Sequence, residues 1–540
     1  MPRAWNQMPE AKTATDRSGK LSRWGYAFWA AAIAGLALLH FWRLGADFPN
    51  GSPWAFDWAK YTDEGWYGNA AIRAHLLGHW YMPGDFNPAV AVPVWPFLEW
   101  LLFFVTGVTM EAARGLAVAC FVANLALSCT LLRARGPRWM AWLGLTLIVT
   151  SPFLYAFTRL AILEPLQILF ILAALNLAVR LNSVRRPVLV SAWIGLLFAL
   201  AVLTKTTGLF LLPALVWAML LPLWGRWKLA LRATAAMLGV AAAVCSAWLA
   251  LLAAAGLLAD WKYYFLINDY PKPPQWYWRL VALRWSLHGL LWIDHSLAPL
   301  ACAVALGAAL AWRSAWGRKL WRDPLFGASL WSVAGFVLLM TLQNHPQPRY
   351  FTVPAFFCFF MVAQGAAALM EQGGLARRLG QATLVAAVAA AAVHGARTIG
   401  YATHPQYTWA TAADELARYI NAHPNGNRLL DSISGDEITL FTHMPSLCDD
   451  FSQPDLASKL KRYRPGWYAA WNDLDPGTLS DLHSIYSLEQ VASFKALDDP
   501  ERNALALFKL HPLPGGQVRD PNMQNLQAAL PGDKIEIPIE

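Results

Sequence analysis

Residues 61–74 read YTDEGWYGNAAIRA and place two carboxylates, Asp63 and Glu64, side by side among aromatic residues. A carboxylate can serve as a general base toward a hydroxyl. Further ionisable residues stand at the ends of apolar segments: Asp57 just upstream, Arg159 and Glu164 in FTRLAILEPLQ, Lys205 in VLTKTTGLF, and His345, Arg349 and Tyr350 in QNHPQPRYFTVPA. Charges at membrane depth cost roughly 2.5–3.5 kcal/mol each on insertion scales, which makes them functional candidates by default. Lys and Arg can hold and neutralise a phosphate, Arg through its bidentate fork. Carboxylates and cations gathered at the mouth of a helical bundle suit group transfer from a lipid phosphate.

Each residue also has a plainer reading. Asp63 and Glu64 are what the dipole of a helix running through Ala71 to Leu77 would favour in its first turn, with Thr62 as cap. Arg159 can pair structurally with Glu164, Lys205 can be a snorkelling anchor, and Arg349–Tyr350 can anchor a span at the interface. His75 and His79 have metal-ligand spacing, but no third ligand accompanies them.

The elements that must position these residues are membrane spans. The chain has 540 residues, of which 57% are hydrophobic and 14% charged; a soluble protein carries about 25% charged residues. Its 29 Trp agree, since Trp concentrates where lipid meets water. The net charge of +9 lies in short basic runs between apolar segments: Arg133/Arg135/Arg138, Arg180/Arg185/Arg186, Arg226/Lys228/Arg232, Arg313/Arg318/Lys319/Arg322 and Arg377/Arg378. That is the pattern of cytoplasmic loops rather than of a nucleic-acid surface. Of six Cys, five lie in apolar segments and only Cys448 in the polar tail, so neither a tail disulfide nor a metal-type cluster is expected. Basic residues precede an apolar stretch from Trp24 to about Leu44 without a small-residue cleavage site, which reads as an uncleaved first helix.

Apolar segments near the spanning length of about 20 residues fall at roughly 24–44, 113–132, 139–157, 160–180, 188–204, 206–224, 230–256, 296–312, 325–343, 350–370 and 380–398. A further segment, 93–110, holds Glu99 in its middle. If it crossed, every later basic loop would move to the outer face. It is therefore expected to lie in the interface. About eleven spans follow, with the N-terminus cytoplasmic, a first outer loop at 45–112, a long outer loop at 257–295 and the tail outside. The expected fold class is an all-α polytopic membrane domain over residues 1–398. A small extracytoplasmic α/β domain over 399–540 follows it, with helical and strand-like stretches alternating and a loose end beyond 514. In that tail, GWYAAWNDL offers Trp467, Tyr468 and Trp471 either to a sugar or, the favoured reading, to a buried strand. EQGGLARRLG reads as a cytoplasmic turn, and no Gly-rich phosphate loop is present.

The motif order TDEGWYGNAAIRA, PVWPFLEWLL, SPFLYAFTRLAILEPLQILFIL, LTKTTGLFLLP, PRYFTVPA, over roughly residues 24–370, resembles that of the GT-C superfamily of membrane glycosyltransferases. It looks most like the protein O-mannosyltransferase and lipid A aminoarabinose transferase branch. The resemblance implies a GT-C fold with juxtamembrane helices in the first outer loop. It implies Asp63 as the catalytic acid with Glu64 beside it, and Glu164 as the second-loop acid, an Asp before Pro in that branch. Arg159, Lys205, Arg349 and Tyr350 would meet the donor phosphate. The implied reaction is inverting transfer of a sugar from a polyprenyl-phosphate donor to a lipid, glycan or protein acceptor, on the outer face of a bacterial inner membrane. The partners are then donor, acceptor and membrane lipids, and no cofactor is expected, with Mg²⁺ or Mn²⁺ left open. A glycolipid transporter or flippase and a polysaccharide ligase or polymerase are the alternatives.

Overall fold

The computed structural model describes residues 23–267, 275–343, 347–449, 456–497, 499 and 502–514. His345, the basic residues before Arg23 and the end beyond residue 514 lie outside the described residues. Among the described residues, six helices are long and apolar enough to cross a membrane: Met110–Arg135, Pro187–Thr204, Trp227–Ala254, Pro324–Gln343, Pro348–Met370 and Gly374–Ala422, the last running through a break after Thr403. Two bent pairs pass the same test, Arg138–Thr150 with Pro152–Thr158 and Trp278–Ile293 with Leu297–Leu310. The shorter apolar helices are Trp24–Leu39, Val94–Thr106, Glu164–Ala178 and Thr206–Leu220. The chain is thus a multi-pass membrane protein. The eleven expected segments resolve into long, bent and short helices rather than eleven uniform spans.

The ends and bends have local causes. Met110–Arg135 starts where the Thr109 side chain accepts from the amide of Ala112, carries Glu111 in its first turn and ends with Arg133 and Arg135 before Gly136. Both charge placements complement the helix dipole. The 63° bend after Thr150 falls at Ser151–Pro152, where Ser151 accepts from Leu154 and proline opens the next helix. The 116° bend at Asp294 is fixed by its carboxylate, which accepts from the amide of Ser296 at 2.6 Å and from that of Leu297.

Two segments bear on the expected topology. Val94–Thr106 is a separate 13-residue helix that turns at Gly107 (φ 73°) into the next span. Its length of about 20 Å falls short of the roughly 30 Å hydrocarbon core. Glu99 is fully buried against Gly68, where a Cβ would lie 2.4 Å from the carboxylate. The segment 257–295, expected as a loop, contains the helix Trp278–Ile293. Arg279, Arg284 and His288 interrupt its apolar run, so no spanning-length window shows in the sequence; packing supplies the helix instead. Gly289 sits against the ring of Phe351, with no room for a Cβ.

Beyond the helix Gly374–Thr403 the chain builds a five-stranded sheet of β1 (Leu430–Ser432), β2 (Ser446–Cys448), β3 (Trp467–Trp471), β4 (Tyr486–Lys495) and β5 (Ala504–Pro512), in the order β2-β1-β3-β5-β4. β1 pairs in parallel with β2 and β3, while β5 runs antiparallel to β3 and β4. Side chains alternate across β3. Trp467 and Ala469 pack with Trp409, Leu416 and Ile420 on one face, and Tyr468 and Ala470 with Leu460 and Leu482 on the other. The aromatic run of β3 is core, as its alternation suggested.

Candidate active site

Asp57 and Asp63 flank a short helical turn, Trp58–Lys60, whose start Asp57 caps by accepting from the amide of Ala59 at 2.9 Å. Asp63 then opens the helix Asp63–Leu76. Thr62 does not cap that helix; its hydroxyl donates to the Trp58 carbonyl at 3.0 Å and to Asp63 Oδ1 at 3.2 Å. The turn Pro348–Phe351, at the entrance to the helix Thr352–Met370, brings in Arg349. Arg349 Nη1 lies 2.6 Å from Asp57 Oδ1, its amide donates to Asp57 Oδ2 at 2.8 Å, and its Nε lies 2.8 Å from Asp63 Oδ2. One arginine thus joins two carboxylates, all three buried.

Lys205 follows the helix Pro187–Thr204 in an extended conformation, its turn held by Gln167, whose amide nitrogen donates to the Lys205 carbonyl at 2.8 Å. The ammonium pairs with Glu164, the first residue of the helix Glu164–Ala178, and stands 4.6 Å from the centre of the Tyr350 ring and 5.7 Å from that of Tyr67. A buried cation is tolerable only with such a partner. A cavity of about 340 Å³ is lined by the polar side chains of Asp63, Tyr67, Lys205, Arg349 and Tyr350 and by the apolar ones of Phe210, Phe265, Leu266, Leu339 and Leu342. Glu164 reaches this cavity through Lys205.

Burial pushes the Asp63 carboxyl above the usual range; Arg349 opposes this and Asp57 reinforces it. The contact between Arg349 and Asp63 is an ion pair without hydrogen-bond alignment, and Asp63 Oδ2 is left without a hydrogen bond among the described residues. That oxygen is a carboxylate acceptor of raised basicity, poised to take a proton from a hydroxyl.

Two of the residues expected here are placed elsewhere. Glu64 faces away from the cavity. Its carboxylate is gripped in bidentate fashion by Arg114, at 2.5 and 2.7 Å, and accepts from the amide of Ala161 at 2.7 Å. Arg114 in turn donates to the carbonyls of Leu44 and Ala46. Arg159 donates to the carbonyls of Trp42 and Arg43, each at 2.8 Å, and to the hydroxyl of Tyr155. The turn containing Arg159 points that side chain at the chain just past the first helix, and Arg159 is not among the residues lining the cavity. Tyr67 and Tyr264, which line the cavity, and Arg114, which holds Glu64, were not among the expected site residues; a lone arginine in the first turns of a span was the available signal for Arg114. His75 Nε2 donates to the Trp100 carbonyl, 3.0 Å away.

No family model and no curated protein matches the chain. Solved structures do. ArnT from Cupriavidus metallidurans in its apo state superposes with a TM-score of 0.57 at 15% identity, over 89% of this chain and 98% of that one. The same protein bound to undecaprenyl phosphate gives 0.58 at 13% identity over the same shares. The archaeal oligosaccharyltransferase AglB from Archaeoglobus fulgidus, in complex with an inhibitory peptide and a dolichol-phosphate, gives 0.52 at 12% identity, over 92% of this chain and 76% of that one. The chain has the GT-C fold. At these identities the likeness is one of fold, and within this GT-C fold the buried Asp57–Arg349–Asp63 group and the Glu164–Lys205 pair meet at one cavity.

Proposed function

We propose that the protein is an inverting glycosyltransferase that moves a sugar from a polyprenyl-phosphate donor to a hydroxyl acceptor, on the outer face of the inner membrane. The observation that carries this reading is the buried Asp63 Oδ2, free of hydrogen bonds among the described residues, on a cavity shared with Arg349 and Lys205. The apolar residues that line the same cavity suit the first isoprene units of a lipid. The structure of ArnT with undecaprenyl phosphate supports a donor of that class, and the basic loops of the sequence support the outward orientation.

The step follows from the charges. Asp63 takes the proton of the acceptor hydroxyl as its oxygen attacks the anomeric carbon from the side opposite the phosphate. The bond between that carbon and the phosphate oxygen breaks, and the electron pair leaves with the lipid phosphate, whose charge grows from −1 to −2. Arg349 and Lys205 stand where that charge develops, a role worth about 3–4 kcal/mol per well-placed donor by analogy with oxyanion holes. The acids are engaged by these cations, Asp57 and Asp63 by Arg349 and Glu164 by Lys205. We propose on that ground that the site works without a resident metal. Glu64 and Arg159 are positioning residues in this scheme, and Glu164 orients Lys205.

The test is an in vitro assay with a panel of defined polyprenyl-phosphate sugars, comparing wild type with Asp63→Asn. Transfer by wild type and none by the variant is expected. Near-normal transfer by Asp63→Asn would remove Asp63 from the role, and passage of intact donor across the bilayer without cleavage would favour a transporter.

A further inference from the structure

The helix Asp63–Leu76 has two working faces. Asp63 and Tyr67, four residues apart, line the cavity. Gly65, Asn69 and Arg73, again four apart, form a second stripe, and this one faces the soluble domain. At Gly65 a Cβ would lie 2.2 Å from the amide nitrogen of Glu437 and 2.3 Å from the carbonyl carbon of Asp436, so the two backbones touch. Asn69 donates to Asp436 Oδ2 at 3.4 Å. Arg73 Nη2 lies 3.2 Å from Asp436 Oδ1 and 2.6 Å from Asp85 Oδ2, and Nη1 donates to the Phe86 carbonyl at 3.0 Å. All these groups are buried. Trp66, which lines the cavity, donates its indole N–H to the Ile433 carbonyl at 3.1 Å.

Resting on the glycosyltransferase reading, we propose that Asp436 of the soluble domain is a positioning residue for transfer: through Arg73 and Asn69 it sets the rotation of the helix that carries Asp63. The domain then contributes to the rate of the chemical step rather than only to acceptor choice. Its helix Gly435–Thr442 packs against the helix that carries Asp63. A turn of the carrier helix by a fraction of a residue would move the Asp63 carboxylate by about 1 Å, a displacement that can cost on the order of a hundredfold in rate.

The experiment uses the full chain in detergent or nanodiscs. Asp436→Asn keeps the shape and removes the charge; Gly65→Ala keeps every charge and forces the backbones apart. For each, kcat and the KM for a polyprenyl-phosphate sugar are measured, together with amide hydrogen exchange over residues 63–76. Both variants are expected to lose about tenfold or more in kcat with donor KM changed by less than about threefold, the pattern of a lost transition-state interaction. Exchange over 63–76 should quicken while that over 164–178 stays as in wild type. Asp436→Glu should restore part of kcat. Wild-type kcat in both variants, or a kcat loss with unchanged exchange over 63–76, would overturn the proposal. If wild type transfers from no donor, the glycosyltransferase reading fails, and the exchange measurement still decides whether Asp436 holds the helix.

Discussion

Nε of Arg349 stands 2.8 Å from Oδ2 of Asp63, while the other edge of the same guanidinium is held by Asp57 at 2.6 Å. The shared arginine leaves the trio with a net negative charge, so Asp63 is only partly compensated. Burial and the Asp57 and Glu164 charges raise its carboxyl; Arg349 and, less strongly, Lys205 restrain it.

A base must be deprotonated to act, so activity is lost as pH falls through the Asp63 pKa. Because that pKa is raised, the acid limb of kcat/KM is expected above the value of about 4 for an exposed Asp. A pH–rate profile on the wild type checks this; a limb at or below about 4 would show that Arg349 dominates.

Asp57→Asn removes one of the two negative charges on Arg349 and the stronger of the two that raise Asp63. The acid limb should move to lower pH, and kcat should fall because the weaker base is held more tightly by Arg349. An unshifted limb with reduced activity would mean that Asp57 serves only to place the Arg349 backbone, whose amide it accepts at 2.8 Å.

Glu64→Gln breaks a buried bidentate pair and leaves Arg114 uncompensated. Removal of one partner of such a pair costs about 3–5 kcal/mol, so the variant should show a clearly lower Tm in detergent. Transfer per folded molecule should stay within a few-fold of wild type. A collapse of kcat at unchanged Tm would return Glu64 to the chemistry.

Arg159 and Lys205 should separate in donor binding. Arg159→Ala loses contacts to the carbonyls of Trp42 and Arg43 and to the Tyr155 hydroxyl, none of which lines the cavity, and the donor KM should be unchanged. Lys205→Met with Glu164→Gln, which avoids a stranded buried carboxylate, should raise the donor KM and lower kcat by about tenfold or more. Equal effects of the two changes on KM would argue that the donor reaches the Arg159 side.

Chelation offers an independent check on charge stabilisation by side chains. Transfer in the presence of EDTA is expected to match that without it; loss restored by Mg²⁺ or Mn²⁺ would place a divalent ion beside the lipid phosphate.

Much was legible from the residues alone, and particular cases show why. Glu99 in the middle of 93–110, together with the basic runs, marked that segment as an interfacial helix, because an unpaired acid in lipid is expensive whatever the surroundings. The structure makes it a 13-residue helix. The aromatics Trp467, Tyr468 and Trp471 pointed to one face of a buried strand, and the structure buries both faces of β3. Trp278–Ile293 was hidden because its helix depends on packing against Phe351 and not on an uninterrupted apolar run.

The site divides in the same way. Sequence by itself determined that Asp63, Glu64, Glu164, Arg159, Lys205 and Arg349 had to be paired or functional, since charge at the bilayer edge carries its cost locally. Only the tertiary structure decided which. Neighbouring residues on a helix point about 100° apart, so of Asp63 and Glu64 one meets the cavity and the other Arg114, 50 residues further on. The partners that separate a base from a tether come from distant segments. Their distances are set by how the helices pack, and no local pattern records them.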